Sequence, residues 1–179
     1  MRRLIELSWP LLLLALLAPV CGCRRQQQTR GEATEEEPPS LASVVHVADR
    51  ATAAQLLKGF HGLEQGSWRW TAGSFSVILR PPAMAIQRGA RLQVKLAIPE
   101  VIIQKLKTLT LKATVNSVAL PPETFSQPGD HTYSREVPAS ALSGNSAVVD
   151  FALDKTFAPG GGDQRELGIV VTTVGLEAK

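Results

Sequence analysis

The chain has almost no cysteine, and the cysteines it has lie together near the start. Only Cys21 and Cys23 occur among 179 residues. The chain after residue 23 therefore cannot form a disulfide framework, and it offers no thiolate as a metal ligand or nucleophile. A strong charge of one sign is also absent, because 19 basic residues stand against 16 acidic ones. This weak bias does not indicate a nucleic-acid partner.

Recognisable catalytic motifs are missing as well. The three histidines, His46, His61 and His131, fall in neither an H-E-x-x-H nor an H-x-H spacing. The sequence contains no G-x-S-x-G, Walker loop or dinucleotide fingerprint, and the glycines at 160–162 lack the lysine of a phosphate loop. We therefore predict that the protein is not an enzyme and uses no cofactor or metal. A small hydrolase with two paired carboxylates remains an alternative.

The first 23 residues are typical of a bacterial lipoprotein signal. Arg2 and Arg3 precede an uncharged apolar run over residues 11–20, which is too short to span a bilayer as a permanent helix. The run ends at Val20-Cys21-Gly22-Cys23, where Gly22 supplies the small side chain that a lipobox has before its acylated cysteine. This spacing predicts lipidation at Cys23 rather than at Cys21. An ordinary secretory signal is the alternative interpretation.

The prediction places the protein in the cell envelope, anchored by lipid to the outer membrane or to the periplasmic face of the inner membrane, and not in the cytoplasm. Residues 1–22 would be the signal peptide. Residues 23–40 would be the acylated cysteine and a linker that stays disordered, because its charged and proline-rich sequence has almost no apolar surface to bury. Residues 41–179 are long enough for one domain with a hydrophobic core.

Apolar and polar residues alternate through most of this domain, which is the pattern of strands with one buried face. The alternating runs are Phe75–Leu79, Leu92–Ile98, Leu109–Val115, His131–Val137 and Ala147–Leu153. The run Leu167–Leu176 is apolar on both faces, which predicts a central last strand.

Turn-forming residues separate these runs, and they favour an antiparallel arrangement. They include Pro81-Pro82, Pro121-Pro122 and residues 159–163. One helix is predicted over Ala51–Lys58, with Asp49 as its N-cap and Gly59 at its end. The segment Pro99–Lys107 fits either a short helix or an irregular strand. The predicted fold is mainly β, an antiparallel, jelly-roll-like β-sandwich with one short N-terminal helix.

Two stretches resemble small β-sandwich domains of bacterial envelope and glycan-related proteins, which often accompany glycosyltransferases and look like carbohydrate-binding modules. The residues that carry the resemblance are Leu56-Leu57-Lys58-Gly59-Phe60-His61, Glu64, Trp68-Arg69-Trp70-Thr71, Leu153-Asp154-Lys155, Pro159 and Asp163-Gln164-Arg165-Glu166-Leu167-Gly168. The resemblance spans roughly residues 56 to 176. It implies a β-sandwich that binds a glycan or an envelope protein, and it brings no catalytic residues with it.

Trp68, Trp70 and Tyr133 are the candidate ligand-binding residues. Trp68 and Trp70 have the same parity on a strand, so both point to one face, where sugar rings could stack on them if the face is exposed. At least one of the two is expected to belong to the core, and Arg69 to face the other way. Asp163, Arg165 and Glu166 are interpreted as a loop ion pair at the entry to the last strand. A structural subunit of an envelope complex is the alternative function, and it would expose a contiguous apolar patch instead.

Overall fold

The computed structural model describes residues 40–160 and 162–179, so the predicted signal peptide, Cys23 and most of the linker lie outside the described residues. Within this part the chain forms nine strands and two short α-helices. The strands are β1 (Val44–His46), β2 (Leu56–Glu64), β3 (Trp68–Leu79), β4 (Ala90–Ile98), β5 (Leu109–Val115), β6 (Val118–Phe125), β7 (Gly129–Val137), β8 (Ala147–Leu153) and β9 (Val170–Ala178). The helices are α1 (Ala85–Arg88) and α2 (Glu100–Leu106), and 3₁₀ turns lie at Arg50–Gln55 and Ala139–Ala141. Of the helices in this part of the chain, none has the length and apolar character needed to cross a membrane.

All strand pairs are antiparallel and form one sheet in the order β6-β5-β8-β3-β9-β4-β7, with β2 added to β3 and β1 added to β9. The long strand β3 joins two layers, because its residues 74–79 pair with β8 while Arg69 and Trp70 pair with β9. The sheet folds over at this strand and nearly closes on itself. The fold is therefore the predicted mainly β, sandwich-like antiparallel architecture.

The alternating runs become strands that bury one face in a single core. In β4 and β5 the apolar positions are buried and the residues between them are more exposed, as the period of two requires. β9 lies between β3 and β4, which confirms the central position predicted from its apolar character on both faces. The core draws on these strands and on the buried Tyr133, Phe75 and Leu142.

The prediction of a helix over Ala51–Lys58 was wrong in the type and the length of the element. Asp49 does cap a helical segment, since its Oδ1 accepts a hydrogen bond from the Ala51 amide at 2.9 Å. That segment is a 3₁₀ turn that ends at Gln55, whose buried side-chain amide bonds to both backbone groups of Ala42 and to the Ile78 carbonyl. Leu56 then begins β2, because pairing with β3 overrides local helix propensity.

Pro121 and Pro122, predicted as turn residues, lie inside strand β6. This strand is the first in the sheet order, and a proline can occupy an edge strand because its missing N–H then costs no ladder hydrogen bond. The segment Pro99–Lys107, for which two interpretations were open, contains helix α2.

Strands β6 and β7, the two ends of the sheet order, are joined by side chains. The Tyr133 hydroxyl donates to the Pro121 carbonyl at 3.0 Å. Arg135 donates to the carbonyls of Pro121 at 2.8 Å and Pro122 at 2.9 Å, and its guanidinium lies 4.6 Å from the centre of the Tyr133 ring. Glu123 Oε2 lies 3.0 Å from Arg135 as an ion pair. We call this cluster the seam; it brings side-chain donors from β7 to two carbonyls of the edge strand β6.

Candidate functional site

Trp68 and Trp70 lie at the beginning of β3, directly after the tight turn from β2. Both side chains are half-buried, and their rings meet edge to face, with centroids 6.3 Å apart and an interplanar angle of 78°. This contact confirms that the two residues share a face. Trp70 is half-buried and packs against the hydrophobic core, although it is not one of the buried residues that form the core. The rings form a right-angled corner and not a flat platform.

The strand register shows what lies beside this corner. Trp70 is paired with Val170 of β9, Val170 with Ala97 of β4, and Ala97 with Asp130 of β7. Directly paired residues of antiparallel strands point to the same face, so these four side chains form one row on the outer side of the sheet. Val170 is buried although it belongs to this outer row, which fits a position under the Trp70 ring.

A second row runs parallel to the first and is wholly polar. His46 is paired with Thr173, Thr173 with Lys95, and Lys95 with Thr132. We call the two rows together with Trp68 the tryptophan face. Its side chains include an ammonium group, a carboxylate and hydroxyls, so the face offers both hydrogen-bond donors and acceptors.

A hollow of about 400 Å³ lies on this face where β4 and β7 meet, and strand β9 separates it from Trp70. Its lining is Lys95, Leu96, Ala97, Asp130, His131, Thr132 and Thr172. The hollow forms where β9 carries one extra residue opposite Lys95 and Leu96. A bulge of this kind bends the strand and re-aims side chains next to it.

An ion-pair network holds the loop before β9 against the corner. Arg165 Nη1 lies 2.7 Å from Glu64, which is paired directly with Trp68 across the hairpin, and Arg165 Nη2 lies 2.8 Å from Asp163. Hydrogen bonds from the Arg165 side chain and backbone amide lower the pKa of Asp163 to about 2, and the two carboxylates raise the pKa of Arg165. The predicted Asp163–Arg165 pair is therefore present.

The rest of this network was not foreseen. Glu166 does not join the ion pair but accepts a hydrogen bond from Thr156 at 2.8 Å. Glu64, the second partner of Arg165, is 101 residues away in sequence, and no local pattern connects the two. Arg69 faces away from the tryptophans, as predicted, and donates to the carbonyls of Val47 and His61.

Tyr133 is not an accessible ligand-binding residue, contrary to the prediction from the sequence. Its side chain has no exposed surface and its hydroxyl is used in the seam, so it cannot contact a ligand. It faces inward because it pairs with Val94, whose side chain belongs to the buried face of β4. Its parity on β7 alone could not distinguish the two faces of that strand.

Features that would support catalysis or metal binding do not converge. The three histidines bond to separate partners: His46 to Thr173, His61 to the Glu166 carbonyl and His131 to the Gln127 carbonyl. Within residues 40–160 and 162–179, no three His, Cys, Asp or Glu side chains come close enough to hold a metal ion.

Comparisons with known proteins give partial similarities. No family model matches the sequence, and no curated protein matches it either. Solved structures that it resembles include BtGH115A, a GH115 4-O-methyl-α-glucuronidase with specificity for decorated arabinogalactans, at 11% identity and a TM-score of 0.45 over 72% of this chain. An acetyl xylan esterase, Est2A, from the rumen bacterium Butyrivibrio proteoclasticus has 8% identity and a TM-score of 0.45 over 78% of the chain. The mannan-recognising carbohydrate-binding module TmCBM27 has 13% identity and a TM-score of 0.44 over 76%.

The chain spans 17% of the length of BtGH115A, 33% of Est2A and 95% of TmCBM27. At these identities and TM-scores the comparisons assign the chain to no family.

Proposed function

We propose that this protein is a lipid-anchored, non-catalytic module of the cell envelope that binds a glycan on the tryptophan face. The observation that carries the proposal is the half-exposed Trp68–Trp70 corner on the same face of the sheet as a hollow lined by Lys95, Asp130 and Thr132. Sugar rings have apolar C–H faces that pack on aromatic rings and hydroxyl rims that need donors and acceptors. The tryptophan face presents aromatic rings together with hydrogen-bond donors and acceptors on one side of the sheet.

The perpendicular arrangement of the rings favours one sugar at the corner, with the rest of the glycan extending across β9 towards the hollow. Two coplanar rings would instead suit consecutive sugars along a flat chain. Shallow stacking sites of this kind bind weakly, so we expect a Kd between about 1 μM and 1 mM.

The charges near the corner favour binding over hydrolysis. Glu64 and Asp163 are the carboxylates of the network beside Trp68, and Arg165 engages both of them. A general acid must hold a proton near neutral pH, whereas the pKa of Asp163 is about 2. The network is thus a support for the corner.

Anchoring through Cys23 remains the interpretation of the sequence motif. It predicts that Cys23→Ala moves the protein from the membrane pellet to the soluble fraction, while transfer of the lipid to Cys21 would show that the site was misassigned. The glycan and anchor halves of the proposal are independent, because the first concerns β3 and the second a segment outside the described residues.

Tryptophan fluorescence tests the glycan half. Once the signal peptide and its Trp9 are removed, Trp68 and Trp70 are the only tryptophans, so emission should shift on titration with cell-surface polysaccharide fragments. Trp68→Ala should abolish the binding, measured by calorimetry, and leave the fold intact. Leu63→Ala is the matched control, because Leu63 is an exposed apolar residue of the same hairpin that is paired with Arg69 and faces the other side. Equal loss in both variants, or no binding across a broad glycan panel, would contradict the proposal, and hydrolytic turnover of a glycan would replace it with an enzyme.

A further inference from the structure

The two most exposed large apolar side chains of the described residues lie on one loop. Ile86 is 62% exposed and Met84 is 51% exposed, and both belong to residues 80–88, which connect β3 to β4. We call this segment the Met84 loop. Other exposed apolar side chains of the described part, such as Leu57 on β2 and Val101 on α2, lie on other elements.

The Met84 loop has a fixed backbone. The Ala85 amide donates to the Pro82 carbonyl at 3.1 Å, the Gly89 amide donates to the Ala85 carbonyl at 2.8 Å, and the Ala85 side chain is buried. Met84 adopts a φ of +65°, a left-handed conformation that favours glycine. Met84 therefore exposes a large apolar side chain at a position where the backbone conformation favours glycine.

Two arginines flank the exposed apolar residues. Arg80 and Arg88 are both exposed, and no carboxylate of the residues that the structure describes forms an ion pair with either. Apolar side chains between cationic groups match a bilayer surface, where aliphatic groups enter the acyl boundary and guanidinium groups contact lipid phosphates.

The chain also enters the domain beside this loop. The Arg80 amide donates to the Ala42 carbonyl at 3.0 Å, and Gln55 holds both backbone groups of Ala42. A linker that starts at a lipidated Cys23 would therefore reach the domain at the end where Met84 and Ile86 are exposed.

We propose that the Met84 loop is a second membrane contact, in which Met84 and Ile86 insert into an anionic bilayer surface and Arg80 and Arg88 bind its phosphates. The proposal rests on the proposed anchoring, which keeps the loop near the membrane. Because each arginine near an anionic surface contributes about a fivefold gain in affinity, the loop by itself would bind reversibly.

This contact would orient the tryptophan face. Trp68 and Leu79 are the first and last residues of the twelve-residue strand β3, so the loop that follows Leu79 lies at the other end of the strand from the tryptophan corner, up to roughly 35–40 Å away. Docking of the Met84 loop would point the corner away from the bilayer.

Photocrosslinking tests the contact with the full chain. Vesicles of phosphatidylcholine and phosphatidylglycerol also contain a nickel-chelating lipid, and the chain carries an N-terminal hexahistidine tag, so that it is held at the surface whether or not Cys23 is acylated. Benzoylphenylalanine replaces Ile86 or, as the matched control, Val101, which is 48% exposed on α2 at the far end of β4. We expect lipid adducts at position 86 in about tenfold excess over position 101.

Variants of the loop make the result specific. Arg80→Gln and Arg88→Gln should each lower the yield at position 86 about fivefold. Met84→Gly should also lower it, with an unchanged or raised melting temperature because glycine suits the backbone there. Equal yields at positions 86 and 101, or yields that do not respond to the arginine changes, would overturn the proposal. The same crosslinking repeated in native membranes would also overturn it if the adducts form with a protein instead of lipid. Release of the chain from the vesicles by imidazole would refute the anchoring alone, since the crosslinks formed before its addition still decide the loop.

Discussion

Arg165 connects the loop before β9 to the tryptophan corner. Its guanidinium joins Asp163 in its own loop to Glu64 on β2, and Glu64 is the cross-strand partner of Trp68. The three side chains remain partly open to water, so the network is worth less than a buried one and its role is to position the loop.

The stability that Asp163 contributes should depend on pH in a defined window. The folded pKa of Asp163, about 2, lies below its ordinary value of 3.8, so the contribution is complete above about pH 5 and is lost as the pH falls through 2. We expect Asp163→Asn to lower the melting temperature at pH 5–7 and to have a much smaller effect at pH 2, where the folded carboxyl is already partly protonated. Asp130→Asn, which removes a carboxylate without breaking an ion pair among the described residues, is the control. A pH-independent effect of Asp163→Asn would contradict the ion-pair explanation.

Strand β2 is an element whose shape depends on irregular pairing. Its register with β3 shifts between Lys58 and Phe60, and Gly59 at the shift has a φ of +74°. A Cβ at Gly59 would lie 2.0 Å from the Ser74 carbonyl oxygen, so the close approach of the two backbones requires glycine. The residue expected to end a helix therefore forms a bulge in a strand.

Gly59→Ala should destabilise the protein by about 2–4 kcal/mol, because backbone strain and a clash with β3 add. Gly66→Ala is the matched control. Gly66 also has a positive φ of +67°, but no atom lies within 4 Å of its Cβ position, so only the backbone term of about 1 kcal/mol applies. Urea unfolding of the two variants measures the difference. Equal losses of unfolding free energy in the two variants would show that the close approach of β2 to β3 at Gly59 adds nothing to the cost of the substitution.

At the scale of the whole molecule, the seam between β6 and β7 nearly closes the sheet. Prolines leave β6 without two amide donors, and Arg135 binds the carbonyls of both. The side chain thereby covers an edge that would otherwise be open to pairing with other chains.

Arg135→Ala should lower the free energy of unfolding by about 2 kcal/mol, because it removes the donors to three carbonyls, Pro121, Pro122 and Ser134, and the cover of the Tyr133 ring. Arg91→Ala is the comparison, since Arg91 forms an exposed ion pair with Glu136 and should contribute less than about 1 kcal/mol. Chemical denaturation and light scattering report stability and aggregation together. A loss for Arg135→Ala no larger than that for Arg91→Ala would mean that the seam adds nothing to closure.

The local pattern of apolar residues in the amino-acid sequence was enough to predict the core strands β4, β5, β8 and β9 and the buried faces of β4 and β5, although it did not predict β2 or β6. Leu92–Ile98 and Leu109–Val115 repeat every two residues, and a period of two encodes the buried side locally. The same local information placed Trp68 and Trp70 on one side and predicted the pair Asp163–Arg165, whose members are two residues apart.

The neighbours of each strand, and hence the surroundings of each candidate residue, could not be predicted from the sequence and are seen in the folded chain. Glu64 meets Arg165 across 101 residues, Trp70 meets Ala97 and Asp130 through β9, and Tyr133 faces the core because β7 pairs with β4. Strand pairing depends on the packing of the whole core and so on residues far apart in sequence. Two prolines and a glycine were interpreted as turn or helix-end signals, because a position at a sheet edge or at a bulge is not visible in the local sequence. The chemistry of the tryptophan face arises from that pairing, because its two rows combine side chains from five different strands.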